Sequence, residues 1–433
     1  MTLPAEFTAE GIEAADAEPF RPWASFLESG EPYRSLLKHN PWLRVPRPEE
    51  PLEWGQGWYY DTTVASKHPY WADRGLPTPT KDLRRLRQDL WTWGFCLIED
   101  GLSKAQTETL RDRVAEQAAA ERSIGIAHVS PAQQHVWALV NKGDAFLGCL
   151  EMIPEAVQAG LLIEKLLDEA LGRGWNHLSF IANISFPGCH PQGLHQDQGF
   201  LAPLLPVEGP VLVNTVYILQ DVDEVNGGTL LIPGSHRRNG TDGEYYGPLP
   251  PCINLEAPAG TVLLLEGRVF HGGAVNRSDG LRYIITNSLV KNWIRQQENF
   301  TLTISPDVLA KLSDKALMRC GFQSTSTRGM VEGYGYTGNG RAGDPNGAIR
   351  HVRELMDRGE YRYLRALDTR DAARSRAEDF GLGRIQRAHE THRGERYLEL
   401  LARCEDTQDR GKSRTSMTTS VGVEGLEPPT TSL

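Results

Sequence analysis

Gly193-Leu194-His195-Gln196-Asp197-Gln198-Gly199-Phe200 sets an imidazole and a carboxylate two positions apart among otherwise uncharged neighbours. In extended chain, residues i and i+2 point to the same side, so His195 and Asp197 converge on one face. Two such ligands do not hold a catalytic metal, and the rest of the chain must supply a third. The surroundings decide what kind of frame presents the pair. Strand-like segments at 177–186, 211–219, 229–232, 261–265 and 282–290 are separated by Gly, Pro and Asn turns. Many short strands behind a helical preface predict an α+β, mainly β domain, a sandwich or jelly-roll barrel flanked by helices.

The preface begins near Lys81, where the pattern turns helical, and continues into a short apolar strand at 94–98. Ser103-Lys104-Ala105-Gln106 reads as a capping box opening a helix through Leu110, Val114 and Ala118. A second helix is expected to start at Pro154 and to run through Val157, Leu161, Leu162, Leu166 and Leu167. Asn183 and Ser185 give one strand a polar face, which suits a barrel interior or an exposed sheet equally well. In HVWALVNKGDAF (135–146), which holds His135, Trp137, Asn141 and Lys142, a packed Trp and a solvated Lys are expected, with a cosubstrate or substrate contact from this stretch as the alternative.

The candidates for the third ligand are His236 and His271, with His351, His389 and His392 in a charged region downstream. His236 follows Pro233-Gly234-Ser235 and reads as a loop organiser, or else as a substrate contact. His271 follows a strand and precedes the turn-like Asn276-Arg277-Ser278-Asp279-Gly280, with Arg282 beginning the next strand. A hairpin there would bring His271 and Arg282 together across two antiparallel strands. Two histidines and a carboxylate on one face of Fe(II) leave positions for a chelating cosubstrate and oxygen. The planar guanidinium of Arg282 can grip the far carboxylate of 2-oxoglutarate.

With these residues in place the chain resembles the phytanoyl-CoA dioxygenase-like Fe(II)/2-oxoglutarate oxygenases. The resemblance rests on Leu194-His195-Gln196-Asp197-Gln198, on Asn226-Gly227-Gly228-Thr229-Leu230 leading to Pro233-Gly234-Ser235-His236, and on Phe270-His271 with Asn276-Arg277-Ser278 and Arg282. It covers about 85–335, including WGFCLIEDGLS at 93–103. The resemblance implies a double-stranded β-helix (jelly-roll, cupin-like) core with flanking helices. It implies iron on His195, Asp197 and His271 as the catalytic centre, and 2-oxoglutarate on Arg282. Fe(II), 2-oxoglutarate and O2, with ascorbate as auxiliary reductant, would then hydroxylate an unactivated C–H of a small organic substrate, releasing succinate and CO2. One departure matters. Several relatives carry a hydroxyl residue two positions after the distal His, where this chain has Gly273, so a second cosubstrate contact is expected from Thr286 or Ser288. The rival reading is a metal-binding jelly-roll protein that senses or sequesters a small ligand without turnover.

Composition fits this picture. The chain has 433 residues, 39% hydrophobic and 24% charged, which is ordinary for a globular protein with an ample core. A net charge of -10 argues against a general nucleic-acid binder. The six cysteines form no CxxC pair, and a reduced, cytoplasmic setting is expected. The N-terminal residues lack the basic and apolar pattern of a signal peptide, and no apolar run is long enough to cross a membrane. The expected organisation is an irregular extension over 1–80, the oxygenase domain over 81–335, a charged helical region over 336–410 and a disordered tail over 411–433. Oligomeric state leaves no mark in the sequence.

Overall fold

The apolar and alternating runs of the middle of the chain become two antiparallel sheets in a computed structural model. The structure describes residues 3–17, 43–44, 59–60, 71–322 (apart from 124–125, 131, 188, 190, 193, 202–208 and 238–251) and 347–360. Helix α1 (Ala9–Asp16) is followed by a small strand pair, β1 (Leu43–Arg44) and β2 (Tyr59–Tyr60). Then come α2 (Leu83–Trp93), β3 (Phe95–Ile98), α3 (Lys104–Ser123), β4 (His128–Val129), β5 (Gln134–Val136), α4 (Asp144–Glu151), α5 (Gly160–Leu171) and β6 (Asn176–Ser185). Six more strands are β7 (Leu212–Ile218), β8 (Thr229–Leu231), β9 (Ile253–Asn254), β10 (Val262–Glu266), β11 (His271–Gly273) and β12 (Arg282–Val290). Short helices lie between Phe300 and Arg319, and a further helix spans Gly347–Asp357.

The larger sheet has seven strands in the order β3-β10-β7-β12-β6-β5-β4, and the smaller has three, β11-β8-β9. This is a mixed α+β fold whose two antiparallel sheets resemble a distorted double-stranded β-helix. Period-2 alternation assigns the two faces of the large sheet. Phe180, Ala182 and Ile184 of β6, Val213 and Tyr217 of β7, and Ile285 and Leu289 of β12 join the core formed with Leu86, Leu110, Val114, Leu162 and Leu166 of the helices. Their neighbours Ser179, Ile181 and Asn183, Asn214 and Val216, and Arg282, Ile284, Thr286 and Ser288 line a cavity instead. The cavity's polarity is therefore built into the strands that hold up the core.

The capping box forms as read: Gln106 N–H donates to Ser103 Oγ (3.3 Å) and Ser103 N–H to Gln106 Oε1 (2.9 Å). The same Gln106 overturns the helix start at Pro154. Its Nε2 donates to both Pro154 O and Glu155 O at 2.9 Å, carbonyls that a helix from Pro154 would need for its own ladder. The helix begins instead at Gly160, where a Cβ would lie 1.9 Å from Met152 O. Within the extension read as irregular, Thr8 caps α1, and Phe7 and Ile12 enter the helical core. Arg87 then bridges Asp16 to Glu169. The hairpin between His271 and Arg282 is also corrected: β11 pairs with β8, while β12 pairs with β6 and β7. Asn276, bridged to Asn226, marks the crossing from one sheet to the other. Helical character from 361 onward and the tail over 411–433 lie outside the described residues, as do His389 and His392. Five of the six cysteines are described; all five are free and buried. No described helix is long and apolar enough to cross a membrane.

His177 supplies a pH prediction for the fold. It is fully buried on β6, its Nδ1 lies 2.9 Å from Asn287 Oδ1, and burial pushes its pKa down to about 3. A base depressed on folding adds stability above its unfolded pKa, near 6.5, and loses it as pH falls below that value. Between pH 7 and 4.5 the loss is on the order of 3 kcal/mol. Thermal denaturation of His177→Gln, which keeps a donor but does not titrate, is expected to fall less steeply over this range than the parent. The difference between the two curves isolates His177 from carboxylates that titrate in the same window.

Candidate metal centre and its cavity

Two chain segments are tied together at the site. His195 N–H donates to His271 O and His271 N–H to His195 O, both at 2.9 Å, an isolated antiparallel bridge that leaves the imidazole centroids 4.5 Å apart. Asp197 reaches the same point by a different route from the strand alternation expected of it: it opens a 3-10 turn, Asp197–Leu201. The turn is anchored by Gln198, whose N–H donates to Gly267 O (2.8 Å) and whose Oε1 accepts from Val211 N–H (2.9 Å). His195 Nε2 lies 3.3 Å from Asp197 Oδ1, and His271 Nε2 lies 3.4 Å from Asp197 Oδ2.

One donor atom from each residue lies within 4.8 Å of the others. Ligands about 2.1 Å from one ion on adjacent octahedral positions sit about 3 Å apart, so the spacing and the two-imidazole, one-carboxylate donor set fit a facial iron site. His271 Nδ1 is 3.0 Å from Val269 O, so the bond to this carbonyl holds a proton on Nδ1 and leaves Nε2 as the atom that would bind a metal in place of a proton. Burial alone would raise the Asp197 carboxyl, but the charge of His271 and hydrogen bonds from His195 and His271 outweigh it and hold the group well below the usual carboxylate range.

Asn214 is a site residue that the sequence reading missed. It is 2% exposed, its Nδ2 donates to Asp197 Oδ2 (2.5 Å), and its Oδ1 accepts from Ser288 Oγ (2.6 Å). Ser288 and Asn214 are direct cross-strand partners. The Ser288 hydroxyl thus fixes which end of the amide faces the carboxylate, and its proton is committed there. The available signal was a lone amide inside the apolar run VLVNTVYI. Outer partners of metal ligands typically change metal affinity by about tenfold to a hundredfold when removed. Asn214→Leu is expected to weaken Fe(II) binding within that range in a metal titration, and Ser288→Ala by less, because it frees the amide to rotate without deleting it.

The cavity has a volume of about 500 Å³ and is walled by both sheets, with His195, Asp197 and His271 among its lining residues. Arg282 lines it and is 2% exposed. Its Nη2 donates to Gly227 O at 2.8 Å, its Nε has no partner, and it forms no ion pair among the described residues. Burial pushes its pKa down to about 10, which leaves it cationic at neutral pH. A buried cation without a carboxylate partner is costly, and an anion entering the cavity would compensate it. Thr286 also lines the cavity, and its Oγ1 accepts from Asn183 Nδ2 (2.9 Å).

At Gly273 the missing side chain is replaced by a neighbour. Gly273 N–H donates to Gln192 Oε1 (2.8 Å), and a Cβ at 273 would lie only 3.1 Å from that oxygen. His236 does not join the triad; buried, with Nε2 3.0 Å from Trp91 O, it ties its loop to α2. His135 and Trp137 stack on each other at the cavity wall. Lys142 is not solvated: it is buried and paired with Glu121.

The family model described as phytanoyl-CoA dioxygenase (PhyH) matches residues 92–284, a span that holds the triad and Arg282. Dioxygenase FUM3 of Gibberella moniliformis is 31% identical over 141 residues, 32% of this chain and 46% of that protein, so the chain spans about half the length of that relative. Dioxygenase af480 of Aspergillus fumigatus is 30% identical over 215 residues, 46% of this chain and 67% of that protein. Among solved structures, the non-heme alpha ketoglutarate dependent carbocyclase SnoK from nogalamycin biosynthesis aligns with a TM-score of 0.40 at 19% identity, covering 50% of this chain and 88% of that one. With the matched span, the af480 relationship and the motif residues in agreement, the chain belongs to the phytanoyl-CoA dioxygenase (PhyH) family.

Proposed function

We propose that this chain is an Fe(II)- and 2-oxoglutarate-dependent dioxygenase that hydroxylates an unactivated C–H of a small organic substrate. The observation that carries this reading is the joint presence, in one cavity, of three converging ligands and a buried arginine with no anionic partner among the described residues. The two sheets are read as the two halves of a double-stranded β-helix, cupin-like core. Iron held by His195, Asp197 and His271, with O2 and 2-oxoglutarate, supplies a reaction in which the keto acid loses CO2 and becomes succinate, one oxygen atom entering succinate and the other the C–H bond.

The residues of the chain divide the remaining work. His195, Asp197 and His271 would hold the iron through three ligands, leaving its remaining positions to ligands from the cavity. Asn214 holds the Asp197 carboxylate in one orientation. Arg282 receives the far carboxylate of the cosubstrate, its fixed fork matching both oxygens. Thr286 keeps a hydroxyl proton to offer as a second contact, whereas Ser288 has given its own to Asn214. Gln192, whose Oε1 accepts from Gly273 N–H, lines the cavity beside the position where related chains carry a hydroxyl. The apolar lining of Leu212, Val216, Leu263 and Leu265 would keep water away from the reacting centre. A screen of small organic compounds for stimulated succinate release, followed by mass spectrometry, tests the reading. The expected product gains one oxygen atom; stimulated 2-oxoglutarate consumption with an unoxidised product contradicts hydroxylation.

A further inference from the structure

The cavity has a second arginine at its other end. Arg282 is the first residue of β12, whereas Arg295 follows the strand's last residue, Val290. Nine residues of strand extend roughly 26 Å, several times the length of a five-carbon dicarboxylate. A cosubstrate held by Arg282 therefore does not reach Arg295. The segment that carries Arg295 is fixed to the sheet. Gln297 N–H and Glu298 N–H both donate to Leu178 O at 3.0 Å, and the Glu298 carboxylate accepts from Ala138 N–H (2.7 Å) and Phe180 N–H (2.6 Å). Leu178 lies beside Ser179, which pairs with Ser288, the residue that supports Asn214 and Asp197. Arg295 and Gln297 thus stand at the ligand-carboxylate end of the cavity, opposite Arg282.

Charge at this end is left unmatched. Among the described residues that line the cavity, Asp197 is the only carboxylate, and Arg282 and Arg295 are the only arginines. With Fe(II) and 2-oxoglutarate in place, the charges of the iron, the cosubstrate, Asp197 and Arg282 would sum to zero. Arg295 remains, exposed, with no hydrogen bond or ion pair among the described residues. Leu178 and Leu212 pack with Ile294 beside it, and Leu265, Leu263, Val216 and Ile181 continue this apolar wall along the cavity. A molecule suited to this end carries one negative charge on a hydrocarbon body.

Resting on the oxygenase reading above, we propose that the substrate is a small organic acid whose anionic group is bound by Arg295, with its apolar body along this wall and one of its carbons presented to the iron. Octanoate and its neutral counterpart methyl octanoate are the probes. They are titrated anaerobically into the full chain loaded with Fe(II) and 2-oxoglutarate. Octanoate is expected to bind about tenfold more tightly than the ester, as a charge-assisted contact implies. In Arg295→Gln the two should bind within about twofold of each other, and Arg295→Lys should retain an intermediate preference. Equal binding of the two probes, absence of binding by octanoate, or a preference that survives Arg295→Gln overturns the proposal. So does a preference removed by Arg282→Gln instead, because octanoate would then occupy the cosubstrate's place. Succinate formation by the unaltered chain without any probe separates the two levels. If succinate forms while octanoate shows no preference, only the substrate class is wrong; if none forms, the oxygenase reading itself fails.

Discussion

His271→Ala is expected to reduce succinate formation from 2-oxoglutarate to the background of a metal-free sample while leaving thermal stability nearly unchanged. The backbone N–H and C=O of residue 271 make the bridge to His195, so the substitution keeps the frame and removes only the imidazole. Its Nε2 faces Asp197 Oδ2 and has no structural duty apart from that contact, while Nδ1 bonds to Val269 O two residues away. His195→Ala and Asp197→Ala should behave alike, with the Asp197 variant also leaving Asn214 Nδ2 without its acceptor. His236→Ala is the matching control. That ring is 3% exposed and bonded to Trp91 O, so its loss should lower stability without abolishing metal binding. Iron lost in His236→Ala but kept in His271→Ala would mean that the distal ligand is misassigned.

Arg282→Gln should raise the 2-oxoglutarate requirement about tenfold to a hundredfold, the range expected on losing a charge-assisted contact of roughly 1.5 to 3 kcal/mol. Iron affinity should stay within about twofold, because Arg282 makes no ion pair with Asp197 and lends its Nη2 only to Gly227 O. Arg282→Lys should fall between, having the charge without the fork. Separate titrations of iron and 2-oxoglutarate decide the matter. An unchanged 2-oxoglutarate requirement with a lowered melting temperature would make Arg282 a structural residue that stitches β12 to the loop at Gly227.

Most strands of the fold were legible because alternation is a local property. The run at 282–290 was read residue for residue as β12, and Ser103 with Gln106 announced the start of α3. The errors arose where a distant residue decides a local conformation. Nothing near Pro154 shows that Gln106 captures its carbonyl, and nothing between His271 and Arg282 shows that the chain crosses between sheets there rather than closing a hairpin. The crossing is held by Asn276, whose Nδ2 donates to Gly280 O (2.8 Å) and Ser185 O (3.3 Å). His271 and Arg282 nevertheless line one cavity, because both sheets wall it. Asn214, Ser288 and Gln192 belong to the same class as the errors. Their contacts are set by strand register and loop docking across 74 and 81 residues of sequence, whereas His195 and Asp197 advertise themselves by adjacency.

The central claim is that His195, Asp197 and His271 hold an iron ion that consumes 2-oxoglutarate in this cavity. It is tested most directly by measuring succinate released from 2-oxoglutarate by the full chain with Fe(II), O2 and ascorbate, beside the same chain with Fe(II) withheld and beside Asp197→Ala. Slow succinate release is predicted even without the true substrate, dependent on both Fe(II) and O2 and absent from Asp197→Ala. No succinate from a folded, iron-loaded chain would favour a protein that binds metal without turnover, and succinate formed equally well by Asp197→Ala would contradict the triad.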